Sequence, residues 1–440
     1  MTPPATERYV AQFRAFAGNG AGAAPVWLRE LREDAIARFA ELGFPSARDE
    51  DWRFTNVAPI TERDFVLPSP ASRLPTVSDL APYLVDGPRA VFVNGRFAPA
   101  LSSAAGLPSG IVLGSLATAL ESHGEIVRRH LARHARFDAH GFAALNTAFI
   151  KDGAFAYVPP RVALAQPLQV LFLTVAAAEA PALQPRTLAV VEQSADVRLV
   201  ESYVALDGGS YLTNAVTEFV LGDNAQVQHC RIQRESGSAF HVATSQTAQG
   251  RDSRLVTTSV ALGAALSRHN LGAVLQGVGG YLLLDGLSVL RDAQHADHHT
   301  TIDHAQPHCE SHEFFNGVFD EQARGVFTGR IIVRPGAQRT DSKQTNNNLL
   351  LSRDARADSQ PQLEIYADDV KCTHGSTVGP LDETAMFYLR SRGIGEDAAR
   401  GLLTYGFAAE ILDRVEIPGI RTMLDQLLRE RLRVAEGQAA

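Results

Sequence analysis

Cysteine is scarce in this chain. Cys230, Cys309 and Cys372 are its three cysteines in 440 residues, widely spaced and without a Cys-x-x-Cys pair. That count excludes a disulfide framework and a structural zinc site built on paired cysteines. Long apolar runs are missing too. The most apolar stretch, Leu255 to Leu290, is broken by Arg268, His269, Asp285 and several glycines. It falls short of the about 18 consecutive apolar residues that mark a membrane span. The opening MTPPATERYVAQFRAF carries Glu7 and Arg8 and no apolar segment, so a secretory signal is not expected. Together these absences predict a soluble protein of a reducing compartment, the cytoplasm. There is no excess of positive charge: 41 basic against 49 acidic residues leave −8, which argues against nucleic acid or an anionic membrane as partner. Signatures of common enzymes are absent as well. The chain has no G-x-x-x-x-G-K-[ST], no G-x-S-x-G, no H-E-x-x-H and no strand-linked G-x-G-x-x-G, so it should not hydrolyse ATP through a P-loop of its own.

What is present falls into three zones. Length alone predicts two or three domains, because single cores stop growing at about 250–300 residues. In residues 1–150, Leu28, Leu31, Ala35, Ile36, Phe39 and Ala40 recur at helical spacing until Gly43 and Pro45 stop the pattern. A Pro- and Ser-rich linker, Leu67 to Leu84, follows. Ala90 to Val93 then reads as a strand before the turn signal Asn94-Gly95, and Ser115 to Ala135 reads as a helix.

Residues 151–380 have no sustained helical period. Short alternating runs recur instead: Val197 to Ser202, Val227 to Ile232, Arg254 to Val260, Tyr281 to Gly286, Ser311 to Phe315, Gly325 to Val333 and Leu363 to Tyr366. Many return about every 23 to 30 residues, in the range of solenoid repeats. Each run is too short to bury its own apolar face, so stacking on the next turn is the natural solution. The expected core is therefore a β-solenoid, with a β-sandwich second. Asn346-Asn347-Asn348 is expected at a tight turn, since Asn tolerates left-handed backbone. Residues 381–440 return to helix: Met386 and Leu389 before Gly393, a second segment opened by Glu396-Asp397, and a third opened near Pro418 with Leu424, Leu427, Leu428 and Leu432 on one side.

Two constellations could carry chemistry. His295, His298, His299, His304, His308 and His312 lie close in sequence with Cys309 among them. Imidazole and thiolate suit iron, zinc or copper, which would make a metal-binding β-helix enzyme; the alternative is imidazoles stacked on a solvated face or capping turns. Their spacing matches no zinc signature. The second constellation is Asp368-Asp369-Val370-Lys371-Cys372-Thr373-His374-Gly375. In an extended segment Cys372 and His374 share a face, whereas Asp368 and Asp369 alternate and suit a turn. A polysaccharide-cleaving β-helix would need paired carboxylates on one face, and the acidic residues here are scattered.

The run PQLEIYADDVKCTHGSTVGPLDETAMFYLRSRGI, Pro361 to Ile394, resembles the SufB/SufD family, subunits of the SufBCD iron–sulfur cluster assembly complex. The likeness extends to Ala323–Ser352, Phe142–Phe149, Val91–Phe97 and Gly43–Val57. Thr-His-Gly-Ser at 373–376, where SufB usually carries a Glu-His-Glu-Ala-type segment, points to SufD rather than SufB. The resemblance implies a right-handed parallel β-helix between helical N- and C-terminal domains. It implies a heterodimer with SufB and docking of the ATPase SufC on the C-terminal helices, with Tyr388, Arg390, Arg392, Gly393 and Ile394 as candidate contacts. It assigns His374 to the SufB interface as a transient iron–sulfur ligand, with Cys372 in the same motif. No tightly bound cofactor is expected; a flavin is left open, as is a homodimer when SufB is absent. SufD-like chains often carry lysine where this one has Asn316, so a lysine role in a polar tunnel is not expected at that position.

Overall fold

The computed structural model describes residues 4–18, 24–69, 71, 73–175 and 179–432. Its centre is a parallel β-solenoid. Successive strands alternate between two ten-stranded sheets, so that each strand pairs with the strand two places on. One edge of every rung can be followed from Gln226 to Arg254, Tyr281, Glu310, Asp341 and Lys371 in direct register. Along every strand one set of side chains enters the lumen and the other faces outward. The lumen is filled by Val197, Leu199, Val227, Leu255, Leu282, Leu284, Phe315 and their neighbours.

The turns explain how such a repeat closes. Ser194, Asn224, Asp252, His308 and Arg339 have positive φ and lie two residues before a strand of the same sheet. Each turn also bonds to the one above it, as in Ser194 N–H to Asp223 O at 2.9 Å and Asn224 N–H to Arg251 O at 2.7 Å. A corner in the left-handed region costs an L-residue energy, and stacked corner bonds offset it.

The helical period ending at Gly43 forms Val26–Leu42, with Leu28, Ala35, Ile36 and Phe39 buried. Asn94 (φ 47°) and Gly95 (φ 75°) make the expected hairpin turn between Arg89–Val93 and Arg96–Phe97. Strand Arg89–Val93 also pairs in parallel with Leu168–Thr174, which ties the N-terminal part directly into the solenoid. Three expectations are corrected. Ser115 to Ala135 is two short helices, Leu116–Ser122 and Gly124–His130, because His123 at φ −131° breaks the run. The Leu67–Leu84 linker holds a one-turn helix, Val77–Leu80, fixed by a reciprocal cap between Thr76 and Asp79. The asparagine triplet is no turn: it lies inside strand Asp341–Leu350. There Asn346 Nδ2 donates to Phe315 O (3.2 Å) and Asn348 Nδ2 to Asn346 Oδ1 (2.7 Å), so a lumenal ladder outweighs turn propensity.

Helices flank both sheets. Tyr9, Phe13, Phe39, Trp52 and Phe142 pack with Leu212, Phe240 and Leu266 of one sheet. The C-terminal helices Glu396–Leu412 and Pro418–Arg431 cover the other, with Ile411, Leu412, Ile420, Leu424 and Leu428 against Ile232, Val260, Leu287, Val289 and Val318. Beneath them lies Asp285, fully buried, with neither oxygen hydrogen-bonded among the described residues and Arg414 Nη1 at 3.8 Å. Burial pushes its carboxyl up to about 7, and Arg414 opposes this only in part. A raised acid binds its proton in the native state before the unfolded chain does. Stability should therefore fall as pH rises from about 4 to about 7. Asp285→Asn is expected to remove that slope and to gain about 2–4 kcal/mol near pH 8. Urea unfolding at acid and alkaline pH reads the difference.

Candidate functional site at the open end of the solenoid

Each sheet ends on a strand with only one neighbour. Among the described residues, Arg356–Ile365 pairs with Arg324–Val333 alone, and Lys371–Gly379 with Asp341–Leu350 alone. Both therefore present an unpaired row of backbone groups. Around this rim Tyr366 is 61% exposed and Val378 48%. Just beyond it, helix Glu383–Ser391 has no buried residue, and its Phe387 is 74% exposed. Large apolar side chains this exposed on and just after the last rung mark a contact surface.

Cys372 and His374 lie on this rim. They share the lumenal side of strand Lys371–Gly379, opposite Ser342 and Gln344 of the preceding strand. His374 is exposed, and Cys372 is half-buried. Burial, and then the Asp341 carboxylate, raise the Cys372 thiol above its ordinary value. Both effects disfavour the Cys372 thiolate. The other cysteines are far less available: burial pushes the Cys230 thiol up to about 12, and Cys309 sits in a buried turn with Sγ 3.3 Å from Gly277 O.

Behind the motif run two polar files. In one, Cys372 stacks on Ser342, whose Oγ is 2.8 Å from Ser311 Oγ, which is 2.8 Å from His304 Nε2. In the other, His374 stacks on Gln344, whose Nε2 donates to Glu313. Burial pushes the Glu313 carboxyl up to about 7, with Thr300 and Gln344 pulling the other way. Sequence reasoning misses Gln344 and Glu313, although the repeat register combined with strand alternation leads from His374 to both.

The histidine run is dispersed. His295 and His299 face outward toward Thr55 (2.9 Å) and Asp51 (3.8 Å). His298 and His304 enter the lumen, bonding Ser259 and Ser311. His308 turns a corner, and His312 lies outside, 2.6 Å from Glu310. Among the described residues no group of three or more His, Cys, Asp or Glu side chains could hold a metal ion. Strand alternation separates what sequence proximity suggested, so the metal-enzyme reading loses its ligand set. Asn316 is not lumenal either: its amide donates to Phe407 O (3.0 Å) and Glu410 (3.2 Å) of the C-terminal helix.

The candidate SufC contacts lie on helix Glu383–Ser391 and the turn that follows it. Tyr388 is 56% exposed, with the Arg392 guanidinium 5.2 Å from its ring centroid; Arg390 pairs with Glu396 at 3.5 Å. Gly393, at φ 86°, ends the helix, and Ile394 follows half-buried. A separate cleft of about 520 Å³ lies between the N-terminal segment and the solenoid, lined by Asp51, His299, Arg268, Arg330 and Arg334 among others. Its arginines are matched by carboxylates, Arg268 by Asp297 and Arg334 by Asp303.

Two family models match the chain: the SUF system FeS cluster assembly SufBD core domain over residues 173–407, and the SufBD protein N-terminal region over residues 4–170. The chain belongs to the SufB/SufD family. It is 39% identical to an iron–sulfur cluster assembly SufBD family protein of Synechocystis over 90% of this chain and 89% of that one. It is 31% identical to the iron–sulfur cluster assembly protein SufD of Escherichia coli (90% of this chain, 91% of the relative). It is 29% identical to SufD of Bacillus subtilis (93% and 95%). A SufB/SufD protein of iron–sulfur cluster assembly is the outcome that the motif at 361–394 foreshadowed, and the parallel solenoid agrees with it. The family is one of iron–sulfur cluster assembly proteins. No helix among the described residues is long and apolar enough to cross a membrane.

Proposed function

We propose that this protein is a scaffold subunit of a cytoplasmic SufBCD-type complex, with no catalytic activity of its own. The open rim of the solenoid pairs with SufB, the C-terminal helices dock SufC, and His374 offers a ligand to the nascent cluster at the SufB interface. The observation that carries this reading is the last rung: a strand edge unpaired among the described residues, which carries exposed Val378 and the exposed imidazole of His374. ATP hydrolysis belongs to SufC in this reading, and SufC motion would shift the rim and open it to sulfur and iron. The cluster is cargo, formed and passed on. Cys372, raised toward its thiol form, is the lesser candidate.

Co-expression with SufB and SufC tests the surfaces separately. Ile365→Asp with Val378→Asp places charge on the rim and is expected to lose SufB while SufC still co-purifies. Phe387→Asp with Tyr388→Asp is expected to do the reverse. Each exposed site tolerates the change within about 0.5 kcal/mol of stability, so the readout is partner retention rather than folding. Retention of both partners by both variants would refute the assignment of these surfaces.

A further inference from the structure

The polar file behind His374 has a loose end. Gln344 and Glu313 are both buried in the lumen, and Gln344 Nε2 is committed to Glu313. Gln344 Oε1 is buried and accepts no hydrogen bond among the described residues. The amide has little freedom to turn away. It lies against Gly329, where an added Cβ would collide with it. The next side chain along the same file is His374, directly opposite Gln344 on the neighbouring strand.

We infer that Gln344 is a positioning residue for His374: when the exposed imidazole turns inward along the file, the unpartnered Oε1 accepts its N–H, fixing one tautomer with the other nitrogen turned to the rim. The inference rests on the reading of His374 as a cluster ligand. A ligating imidazole must be unprotonated at the nitrogen that binds, and its other N–H is ordinarily held by an acceptor that sets tautomer and ring orientation. A neutral amide does this without bringing a charge to the rim. Glu313 anchors the amide: it takes the Nε2 donor and thereby presents the carbonyl to His374. Gly329 completes the arrangement, since any side chain there would displace the amide.

Nitrogen-15 histidine spectra of the full chain test the contact directly, with the His374 signals assigned by their loss in His374→Gln. The wild-type protein is expected to show one dominant tautomer at His374. Gln344→Leu is expected to give a mixture, and Gln344→Glu, which keeps an acceptor, to restore one form. If Gln344→Leu does not fold, Gln344→Met removes the acceptor on an unbranched chain. Unchanged His298 and His269 signals report an intact lumen. An unaltered His374 tautomer in a folded Gln344→Leu or Gln344→Met protein overturns the inference. In the complex with SufB and SufC, loss of this acceptor should weaken cluster retention by about 10- to 100-fold, and wild-type retention there, where His374→Ala does lose the cluster, would also overturn it. Should His374→Ala form clusters normally, the ligand reading fails, yet the tautomer spectrum still decides whether Gln344 holds His374.

Discussion

His374→Ala is expected to leave the complex with SufB and SufC intact and to lower cluster formation on it by more than about tenfold. That floor follows from the about 10- to 100-fold losses seen when only a partner of a metal ligand is removed. Assembly should survive because His374 is exposed on the last rung and truncating it opens no buried cavity. Truncating such a side chain changes stability by no more than about 0.5 kcal/mol. The effect should therefore appear in anaerobic reconstitution, read by the cluster's absorbance per complex, and not in gel filtration. His374→Cys provides the discriminating control. A thiolate is the usual cluster ligand, so this variant should recover part of the yield, whereas a merely steric role for His374 would predict no recovery. Normal reconstitution on an intact His374→Ala complex would sink the role proposed for this residue.

The second large effect concerns stability. Arg186 and Glu218 are fully buried and paired with each other. Arg186 Nη1 also donates to Asn146 (3.1 Å) and Thr147 (3.2 Å) of helix Gly141–Ala148. Glu218 accepts the N–H groups of Ala132 (2.8 Å), His134 (2.9 Å) and Ala135 (3.1 Å). The pair thus fastens the N-terminal segment to the solenoid. Burial would raise the Glu218 carboxyl, but Arg186 and the backbone donors together hold it below its ordinary value. Its contribution is present above the unfolded carboxylate range and is lost as pH falls through the depressed native value. Arg186→Met should cost about 3–5 kcal/mol by leaving a buried carboxylate without its cation. Adding Glu218→Gln, which drops the charge but keeps an acceptor for the Ala132, His134 and Ala135 N–H groups, should restore much of the loss, because no unpaired buried charge remains. Urea midpoints of the single and double variants measure this. A double variant no more stable than Arg186→Met would show that lost packing, not the unpaired charge, causes most of the destabilisation.

Much of the architecture is legible without the structure. Gly43 and Pro418 bound their helices as backbone chemistry dictates. Asn94-Gly95 turns its hairpin because both residues reach positive φ at low cost. The solenoid follows from runs too short to bury themselves. At the asparagine triplet local propensity misleads, because it competes with a ladder of lumenal partners that no local window contains. The histidine cluster misleads for a related reason. Six imidazoles within eighteen positions are near in sequence, but strand alternation and a corner send them to separate environments.

The candidate site divides along the same line. The family, the repeat and the shared face of Cys372 and His374 all follow from residue identity and from a period of two along the chain. Neither can say that the rung of Cys372 and His374 is the last one, with no further described strand pairing with it, or that Glu313 and Gln344 stand behind His374; the folded molecule settles both. Those relations join residues about 30 positions apart. They are set by the register of stacked turns, which arises from packing the whole lumen and not from any one segment.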